Sequence, residues 1–372
     1  MAGPVVITGG GTGGHVFPMQ AVAEALRDAG LSAHDLRYVG SRRGQEGSLL
    51  GGGDVALTLL PGRGLRRSFR PKDLVINVGA TLGLAGALVT ALVIVKRWRP
   101  SVVVSVGGYA SFAVSFAAAC WRTPLVLVEL DATPGAAHRL VARRATRRCC
   151  AFPTTGANVV VTGAPLRSAI EHVARSSEAR LLAKRNATPP IDPERTVFVV
   201  MTGSLGSRKV NTAVSDLATQ WAARSDCAIV HVTGRRDYEQ MKRSAPELQG
   251  LDYRVVEFGD MVSLWALADA AICRAGATTL AELTALSIPS VLVPLPGAPG
   301  DHQTKNAKSV VEAGGATMIA DVMCDAATLG PVLEKMMDSA TLRTMAAGAG
   351  TLAHRDAARS IAMVILEVRG NS

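Results

Sequence analysis

The sequence contains two successive series of short β-branched runs that alternate with helical patterns, and this alternation constrains the fold most strongly. The first series opens with Val5–Thr8 and the second with Thr196–Met201, and each opening run leads into a glycine-rich turn. Strands that alternate with helices form parallel sheets with crossover helices. The pattern predicts an α/β protein of two doubly wound, Rossmann-like domains that face a cleft, with ligands at the carboxyl ends of the strands.

The length and composition agree with two domains of ordinary size. The chain has 372 residues, of which 48% are hydrophobic, so it is not a disordered chain. We expect a first domain over residues 1–168, with a helix within 352–372 packing back on it, and a second domain over 169–351. Aromatic residues make up only 4%, which argues against a protein that reads its ligand by ring stacking, and we expect no nucleic-acid partner.

The cysteine pattern indicates neither a disulfide framework nor a metal centre. Six cysteines occur, two of them adjacent at Cys149 and Cys150, and no C-x-x-C is present. This is typical of a reducing compartment without a zinc site. No D-x-D pair follows a strand either, so the sequence predicts no metal and no cofactor. A leaving diphosphate would then be neutralised by a glycine-rich loop and a helix N-terminus.

The basic residues are concentrated in the first half of the chain. Residues 1–168 contain 19 Lys and Arg against 8 Asp and Glu, a net charge of +11, whereas the remainder carries 21 against 22. An anion or an anionic surface is therefore expected to bind the first half.

The uncharged segment 74–95 allows three interpretations. It is long enough to span a bilayer, but it contains Asn77 and several glycines and lies between two strand-like runs, so we favour a mostly buried crossover helix. Basic residues flank it at Arg63–Lys72 and Lys96–Arg99. An apolar helix framed in this way also suits the surface of an anionic bilayer.

The first glycine-rich turn predicts an anion site. Gly9–Gly14 follows a strand and opens a helix, so backbone N–H groups can approach a phosphate. Gly9, Gly11 and Gly14 also match the dinucleotide fingerprint, but Arg42 and Arg43 replace the acid expected after the second strand. Two arginines could hold a 2′-phosphate, which leaves an NADPH-dependent oxidoreductase as an alternative.

His15 directly follows this turn and is the first candidate catalytic residue. The start of a helix favours the neutral imidazole, the form that accepts a proton. A capping histidine is the alternative. A second glycine turn, Gly107–Ser111, follows another strand of the same domain. Two such turns on a basic domain predict a site for a large anion such as a diphosphate.

Three segments of the second half suit a nucleotide sugar. Gly203–Arg208 repeats the glycine-rich turn, and Arg274–Glu282 begins a helix with small residues. Glu282 could accept hydrogen bonds from two ribose hydroxyls, although a solvated helix carboxylate has the same spacing. Asp301–Ala307 gathers amide and imidazole groups that suit sugar hydroxyls, or else provides a polar helix cap at Asp301.

These motifs together resemble the MurG family, the UDP-N-acetylglucosamine:undecaprenyl-pyrophosphoryl-muramoyl-pentapeptide N-acetylglucosaminyltransferases of bacterial cell-wall synthesis. The resemblance covers nearly the whole chain. It rests on GGGTGGHVFP at 9–18, GGYAS at 107–111, TGAPLR at 162–167, TGSLGSRKVN at 202–211, CRAGATTLAEL at 273–283 and DHQTKNA at 301–307.

The resemblance implies a GT-B fold, inversion at the anomeric carbon, and transfer of GlcNAc from UDP-GlcNAc to the lipid-linked acceptor lipid I, which gives lipid II. It implies peripheral attachment to an anionic membrane at the cytoplasmic face of the inner membrane. A related UDP-sugar transferase with another lipid or natural-product acceptor is the alternative. The implied donor-binding residues are Thr12, Gly13, Gly14, Arg167, Ser204, Phe258, Met261, Ala277, Thr278, Glu282, His302 and Gln303. Among these, the backbone around Phe258–Met261 would hold the uracil. Those implied for the acceptor diphosphate are Gly13, Gly14, His15, Gly107, Gly108 and Tyr109.

Two segments depart from the family pattern. The usual H-E-Q-N reads Val128-Glu129-Leu130-Asp131, and the usual G-S-Q-G has Leu205 at its third position. A carboxylate therefore replaces the usual amide at position 131. Asp131 could serve as the base or could orient His15, so both residues are predicted to be catalytic.

Overall fold

The computed structural model describes residues 3–61, 71–203, 205–246 and 248–371. These divide into two compact units. The first unit contains Met1–Arg167 together with Arg355–Ser372, and the second contains Ser168–His354.

The first unit is built on a seven-stranded parallel sheet with the order β3-β2-β1-β4-β5-β6-β7. The sheet is doubly wound, because β2 and β3 lie on one side of β1 and the later strands on the other. The strands are β1 (Val5–Gly9), β2 (Leu36–Ser41), β3 (Ala56–Leu60), β4 (Val102–Gly107), β5 (Leu125–Glu129), β6 (Arg147–Cys150) and β7 (Val159–Val161).

The second unit repeats this plan with six parallel strands in the order β10-β9-β8-β11-β12-β13. The strand order reverses between β8 and β11, because β9 and β10 lie on one side of β8 and the later strands on the other. The strands are β8 (Thr196–Met201), β9 (Cys227–Val232), β10 (Asp252–Val256), β11 (Ala270–Cys273), β12 (Ser290–Leu292) and β13 (Ala316–Met318). The predicted doubly wound α/β architecture is confirmed for each unit.

Helices connect the strands throughout. They are α1 (Gly13–Asp28), α2 (Glu46–Leu50), α3 (Pro71–Trp98), α4 (Tyr109–Cys120), α5 (Ala136–Val141), α6 (Ser168–Glu171), α7 (Ser177–Asn186), α8 (Arg208–Gln220), α9 (Tyr238–Arg243), α10 (Met261–Leu267), α11 (Ala277–Ala285), α12 (His302–Glu312), α13 (Ala326–Met336), α14 (Ser339–Gly350) and α15 (Ala357–Gly370). Short 3₁₀ turns lie at Ala33–Asp35, Ala142–Arg144, Pro299–Asp301 and Asp321–Met323.

The continuous apolar runs explain why the strands are central. All residues of β1, β4 and β5 are buried, as expected of parallel strands that are covered by helices on both faces. In the second unit, Phe198, Trp221 and Leu217 form part of one core that includes residues of α8 and α13. The carboxyl ends of the central strands are thereby held rigidly, and the glycine-rich turns extend from them.

The helix α3 includes the ambiguous apolar segment. Ala87, Ala91 and Val95 face the core, but Val89 and Val93 are 62% and 58% exposed. The expectation of a mostly buried helix is therefore right for one face only. Among the described residues, no helix has the length and hydrophobicity needed to cross a membrane. The basic residues Arg63, Arg66, Arg67 and Arg70 lie outside the described residues.

The helix α15 returns to the first unit from the far end of the sequence. It packs on α1 and also contacts β4. Ile361 and Ile365 on its inner face are completely buried. The first unit is thus assembled from two separate stretches of chain.

Candidate functional site

In the first unit, the two glycine turns lie side by side at the point where the strand order of the sheet reverses, between β1 and β4. Gly9 and Gly107 are register partners on the adjacent strands β1 and β4. A Cβ on Gly108 would lie 2.1 Å from the carbonyl oxygen of Gly10, and Gly108 has a φ of +89°. Both facts exclude a larger residue there. The two turns predicted to bind the acceptor diphosphate are therefore neighbours.

A buried carboxylate already holds the first turn. Glu46 Oε1 accepts hydrogen bonds from the backbone N–H of Gly11 and of Ser41, each at 3.0 Å. Gln45 Oε1 accepts from the N–H of Gly13 at 2.7 Å. The sequence pattern does not indicate a role for either side chain, because nothing in the spacing of Gln45 and Glu46 shows that they return to the turn.

His15 lies in the first turn of α1 with its ring against the second glycine turn. Its Nε2 is 3.3 Å from the position that a Cβ of Gly107 would occupy, and the Cε1 of His138 is 3.9 Å from the same position. His138 is buried on α5, and its Nε2 lies 3.0 Å from the Ser105 hydroxyl. Burial lowers the pKa of His138 to about 4, so its ring is neutral.

The segment that departs from the family pattern follows β5. Asp131 is half-buried, and Glu129 is buried and paired with Arg148 at 2.8 Å. The Cys150 thiol lies 3.4 Å from Glu129 Oε2, and burial raises the Cys150 pKa to about 12, which keeps the thiol protonated. Glu129 is thus a structural carboxylate whose charge is paired with that of Arg148, whereas Asp131 reaches the surface of the unit.

Several residues predicted to bind the donor also belong to the first unit. Thr12 is the N-cap of α1, and Gly13 and Gly14 form its first turn. The guanidinium of Arg167 lies 4.4 Å from the centre of the Phe17 ring of the same helix. Tyr109, which is predicted to bind the acceptor diphosphate, begins α4, and burial raises the pKa of its hydroxyl.

In the second unit, a pocket of about 520 Å³ lies where β8 and β11 end. Of the predicted donor residues, Gln303 lines it, and Ala277 and Thr278 lie between two lining residues, Gly276 and Thr279. Ser204 lies outside the described residues. The lining residues are Met201, Thr202, Gly203, Leu205, Gly206, Ser207, Arg208, Lys209, Arg236, Arg274, Gly276, Thr279, Leu295 and Gln303.

Close backbone contacts shape the glycine loop on one side of this pocket. Gly206 has a φ of +81°, and a Cβ there would lie 2.3 Å from the carbonyl oxygen of Thr233. Gly234 has a similar constraint, since its Cβ would lie 2.4 Å from the nitrogen of Gly206. The loop then leads into α8, whose N-cap Ser207 accepts a hydrogen bond from Val210. A helix N-terminus of this kind favours bound anions.

Two polar side chains that line the pocket are held by hydrogen bonds to the backbone. Gln303 Oε1 accepts from the N–H of Leu295 at 2.9 Å, so its amide nitrogen remains as a donor. Arg274 donates to the carbonyl oxygens of Val293 and Pro294 and to Ser207. His302 lies next to Gln303 in sequence and interacts through Nδ1 with the carbonyl oxygen of Pro299 at 2.8 Å.

Glu282 is buried rather than solvated. The residue is 6% exposed, and its Oε2 accepts a hydrogen bond from the indole Nε1 of Trp265 at 2.8 Å. The alternative of a solvated helix carboxylate is therefore wrong. Trp265 was not predicted as a partner, because it belongs to α10 and only the tertiary fold brings it to α11.

The segment predicted to hold the uracil forms an exposed turn. Phe258 is half-exposed, and the guanidinium of Arg235 lies 5.6 Å from the centre of its ring. Met261 begins α10 after the N-cap Asp260, whose carboxylate accepts from the N–H of Ser263.

Across the described ranges, no group of three or more His, Cys, Asp or Glu side chains is arranged to hold a metal ion.

Comparison with known families matches both halves of the chain. Residues 5–149 match the glycosyltransferase family 28 N-terminal domain, and residues 196–361 match the corresponding C-terminal domain. Curated relatives match nearly the full length. A protein of Moorella thermoacetica is 35% identical, with 98% of each chain covered. One from Pseudomonas aeruginosa is also 35% identical, with 99% of each chain covered. Both are named UDP-N-acetylglucosamine--N-acetylmuramyl-(pentapeptide) pyrophosphoryl-undecaprenol N-acetylglucosamine transferase.

The chain belongs to the MurG family. The crystal structure of MurG from Acinetobacter baumannii is similar, with a TM-score of 0.76 and 26% identity over 98% of this chain and 99% of that one. A UDP-GlcNAc 2-epimerase from Neisseria meningitidis shares the fold alone, with a TM-score of 0.63 and 14% identity over 98% of this chain and all of that one. The resemblance drawn from the motifs and the GT-B fold are therefore confirmed.

Membership of the MurG family overturns the oxidoreductase alternative. The first glycine turn imitates a dinucleotide fingerprint, but its Gly11 and Gly13 N–H groups are bonded to Glu46 and Gln45. A pyrophosphate that used both N–H groups, as in the dinucleotide fingerprint, would have to displace both side chains. The glycines also permit the close packing of the two turns.

Proposed function

We propose that the chain transfers GlcNAc from UDP-GlcNAc, with inversion, to undecaprenyl-pyrophosphoryl-MurNAc-pentapeptide (lipid I) and so forms lipid II in peptidoglycan synthesis. The observation that carries this proposal is identity of about 35%, over nearly the whole chain, to transferases named for these substrates. The basic pocket of the second unit and the paired glycine turns of the first unit supply the chemistry that such a reaction needs.

The donor half of the proposal rests on the second unit. UDP-GlcNAc carries a diphosphate. The pocket of the second unit combines the N-terminus of α8 with Arg208, Lys209 and Arg274. Glu282 would accept hydrogen bonds from the ribose hydroxyls, and Gln303 would donate its amide to the sugar. Phe258 and Met261 border the turn assigned to uracil. In the transition state, negative charge develops on the leaving diphosphate, where these cations and N–H groups stabilise it.

The acceptor half rests on the first unit. The hydroxyl oxygen of the acceptor bonds to the anomeric carbon, while the bond from that carbon to the diphosphate oxygen breaks and UDP leaves. The hydroxyl proton must pass to a base, and His15 or Asp131 would accept it. The paired turns at Gly13–Gly14 and Gly107–Gly108, together with the Tyr109 hydroxyl, would hold the acceptor diphosphate, which would replace Gln45 Oε1 at the Gly13 N–H.

Turnover of a lipid I analogue by single variants tests this assignment. Loss of a general base costs roughly 10²- to 10⁴-fold in rate. We expect His15→Ala to lower kcat by this order with little change in UDP-GlcNAc affinity. A loss of this order in Asp131→Ala would indicate that Asp131 is the base, whereas a smaller loss would indicate that it orients His15. Wild-type turnover in both variants would refute the assignment. Transfer to another acceptor, with none to lipid I, would instead favour the alternative UDP-sugar transferase.

We further propose that the exposed face of α3 attaches the chain to an anionic membrane, at the cytoplasmic face of the inner membrane. Val89 and Val93 are exposed one turn apart, and the exposed Lys96 and Arg97 follow on the same helix. Trp121 is half-exposed beside them, with the Lys96 ammonium 5.0 Å from the centre of its ring. Apolar side chains bordered by basic residues and tryptophan suit the interface of an anionic bilayer.

Sedimentation with vesicles tests this attachment. The variant Val89→Glu/Val93→Glu should lose binding to anionic vesicles, and Lys96→Glu/Arg97→Glu should weaken it, since each basic residue contributes on the order of 1 kcal/mol. Val322→Glu, at an exposed apolar residue of the second unit, is the matched control. UDP-GlcNAc binding should persist in all three. Binding that resists both salt and these substitutions would contradict the proposal.

A further inference from the structure

The donor pocket contains an arginine that neither the motifs nor the resemblance assigns. Among its described lining residues are four cations and no carboxylate; the cations are Arg208, Lys209, Arg236 and Arg274. Arg274 is paired with Asp321 at 2.7 Å and donates to backbone carbonyls. Arg236 differs from it, because half of its side chain remains exposed.

Arg236 is held in a defined orientation by three hydrogen bonds. Its Nε and Nη2 donate to the two carboxylate oxygens of Asp237, each at 2.9 Å, and Nη2 also donates to the carbonyl oxygen of Gly206 at 3.2 Å. These bonds use the Nε hydrogen and both Nη2 hydrogens. The Nη1 amino group therefore keeps two donors for a ligand. Since Gly206 belongs to the loop that borders the pocket, the guanidinium is fixed to the pocket wall.

Asp237 anchors Arg236 from inside the unit. Its carboxylate is 1% exposed, and it also accepts from Asn211 Nδ2 at 3.0 Å. Hydrogen bonding to Arg236 lowers the Asp237 pKa, so the carboxylate is charged. The Arg208 guanidinium lies 3.9 Å from the same carboxylate. One negative charge thus faces two positive ones, which leaves an uncompensated positive charge at the pocket.

The hydrogen bonds behind Asp237 are fully determined by donor and acceptor chemistry. Asn211 Nδ2 faces the Thr233 carbonyl oxygen and the Asp237 carboxylate, both acceptors, so its Oδ1 must accept. His231 Nε2 lies 3.0 Å from this oxygen and must carry the proton. The other ring nitrogen, Nδ1, then accepts from the Tyr253 hydroxyl at 2.8 Å. Burial lowers the pKa of His231 to about 3, which keeps the ring neutral.

We infer that Arg236 binds the diphosphate of the nucleotide donor through Nη1, and that Asn211 and His231 are positioning residues that act through Asp237. The inference rests on the proposed function and adds to it one ligand-binding residue and the network that orients it. The ligand class is a nucleoside diphosphate or its sugar ester. A guanidinium fixed in advance loses little conformational entropy when it binds a phosphate.

Calorimetric titration with UDP and with uridine separates a diphosphate contact from a structural role. Arg236→Gln should raise the Kd for UDP by roughly 10- to 150-fold, the range expected of a hydrogen bond to a charged group, and should leave the uridine Kd unchanged. Arg236→Lys should recover part of the UDP affinity, because it restores the charge without the planar fork. Arg243→Gln, which removes an exposed arginine from α9, is the charge-matched control and should behave as wild type.

Asn211→Asp tests the positioning network by the same readout. It replaces the amide donor that faces Asp237 by an oxygen, so UDP binding should weaken while uridine binding persists. Unchanged UDP binding by Arg236→Gln, or equal losses for UDP and uridine, would overturn the inference and leave the proposed function intact. Failure of the wild-type protein to bind UDP would reject the proposed donor site itself, and this inference with it.

Discussion

The substitution Glu282→Gln provides the sharpest test of the ribose contact, because the structure shows how to separate binding from stability. Glu282 is buried, and its Oε2 accepts from the Trp265 indole at 2.8 Å. Alanine would leave that completely buried N–H without this acceptor, which costs about 1–3 kcal/mol of unfolding free energy. Glutamine keeps an oxygen for the indole, but it removes the charge and replaces the other carboxylate oxygen by an amide NH₂ group, which donates instead of accepting.

The expected loss follows from the charge on the carboxylate. A hydrogen bond to a charged group contributes about 1.5–3 kcal/mol, so Glu282→Gln should raise the UDP Kd by roughly 10- to 150-fold. The thermal midpoint should stay near that of the wild type, whereas Glu282→Ala should lower both affinity and midpoint.

The control is a nucleotide without the hydroxyls. Titration of each variant with UDP and with 2′,3′-dideoxy-UDP measures the contribution of the ribose hydroxyls directly. The dideoxy analogue should bind wild type and Glu282→Gln almost equally. A loss of the same size for both nucleotides would show that Glu282 only supports α11 and α10, and the ribose assignment would have to be abandoned.

Three further outcomes concern the first unit. Arg148→Met should lower the urea unfolding free energy by about 3–5 kcal/mol, because it leaves the Glu129 carboxylate buried and unpaired, and the double variant with Glu129→Gln should recover most of this loss. His138 has a pKa of about 4 when folded and 6.5 when unfolded, so the unfolded chain binds more protons between these values. The unfolding free energy should then fall by about 2 kcal/mol from pH 7 to 5, and a His138→Asn variant whose pH dependence matches wild type would contradict this. Glu46→Ala should speed hydrogen exchange at Gly11 and Ser41 by roughly 10-fold or more, since it removes their common acceptor, and unchanged exchange would show that other contacts hold the turn.

The sequence predicted the elements whose signal is local. The apolar runs of β1 and β8 and the glycine turns after them mark the two sheets and the ends at which ligands are expected. Gly107 ends β4 and Gly203 follows β8; both have positive φ values and lie where the strand order of each sheet reverses. These features depend on residues only a few positions apart, so a single sequence reveals them.

The interactions that the sequence did not predict join distant residues. Glu46 reaches Gly11 across 35 positions, and Trp265 reaches Glu282 across 17. Arg236 follows a strand without any family motif to mark it. The sequence did not show which face of α3 is exposed, because the helix is apolar almost all round and periodicity does not distinguish the core face from the exposed face.

The return of α15 to the first unit has a consequence for the order of folding in the cell. Residues 1–167 emerge from the ribosome first, but the helix that covers α1 is encoded after the entire second unit. At about 5–20 residues per second, the first unit waits on the order of 10–40 s for its last helix. During that interval, the apolar surface later covered by Ile361 and Ile365 stays open to water and to chaperones. A truncation at residue 354 would make this exposure permanent and should lead to aggregation of the first unit, even though the removed helix contributes nothing to the second unit's sheet.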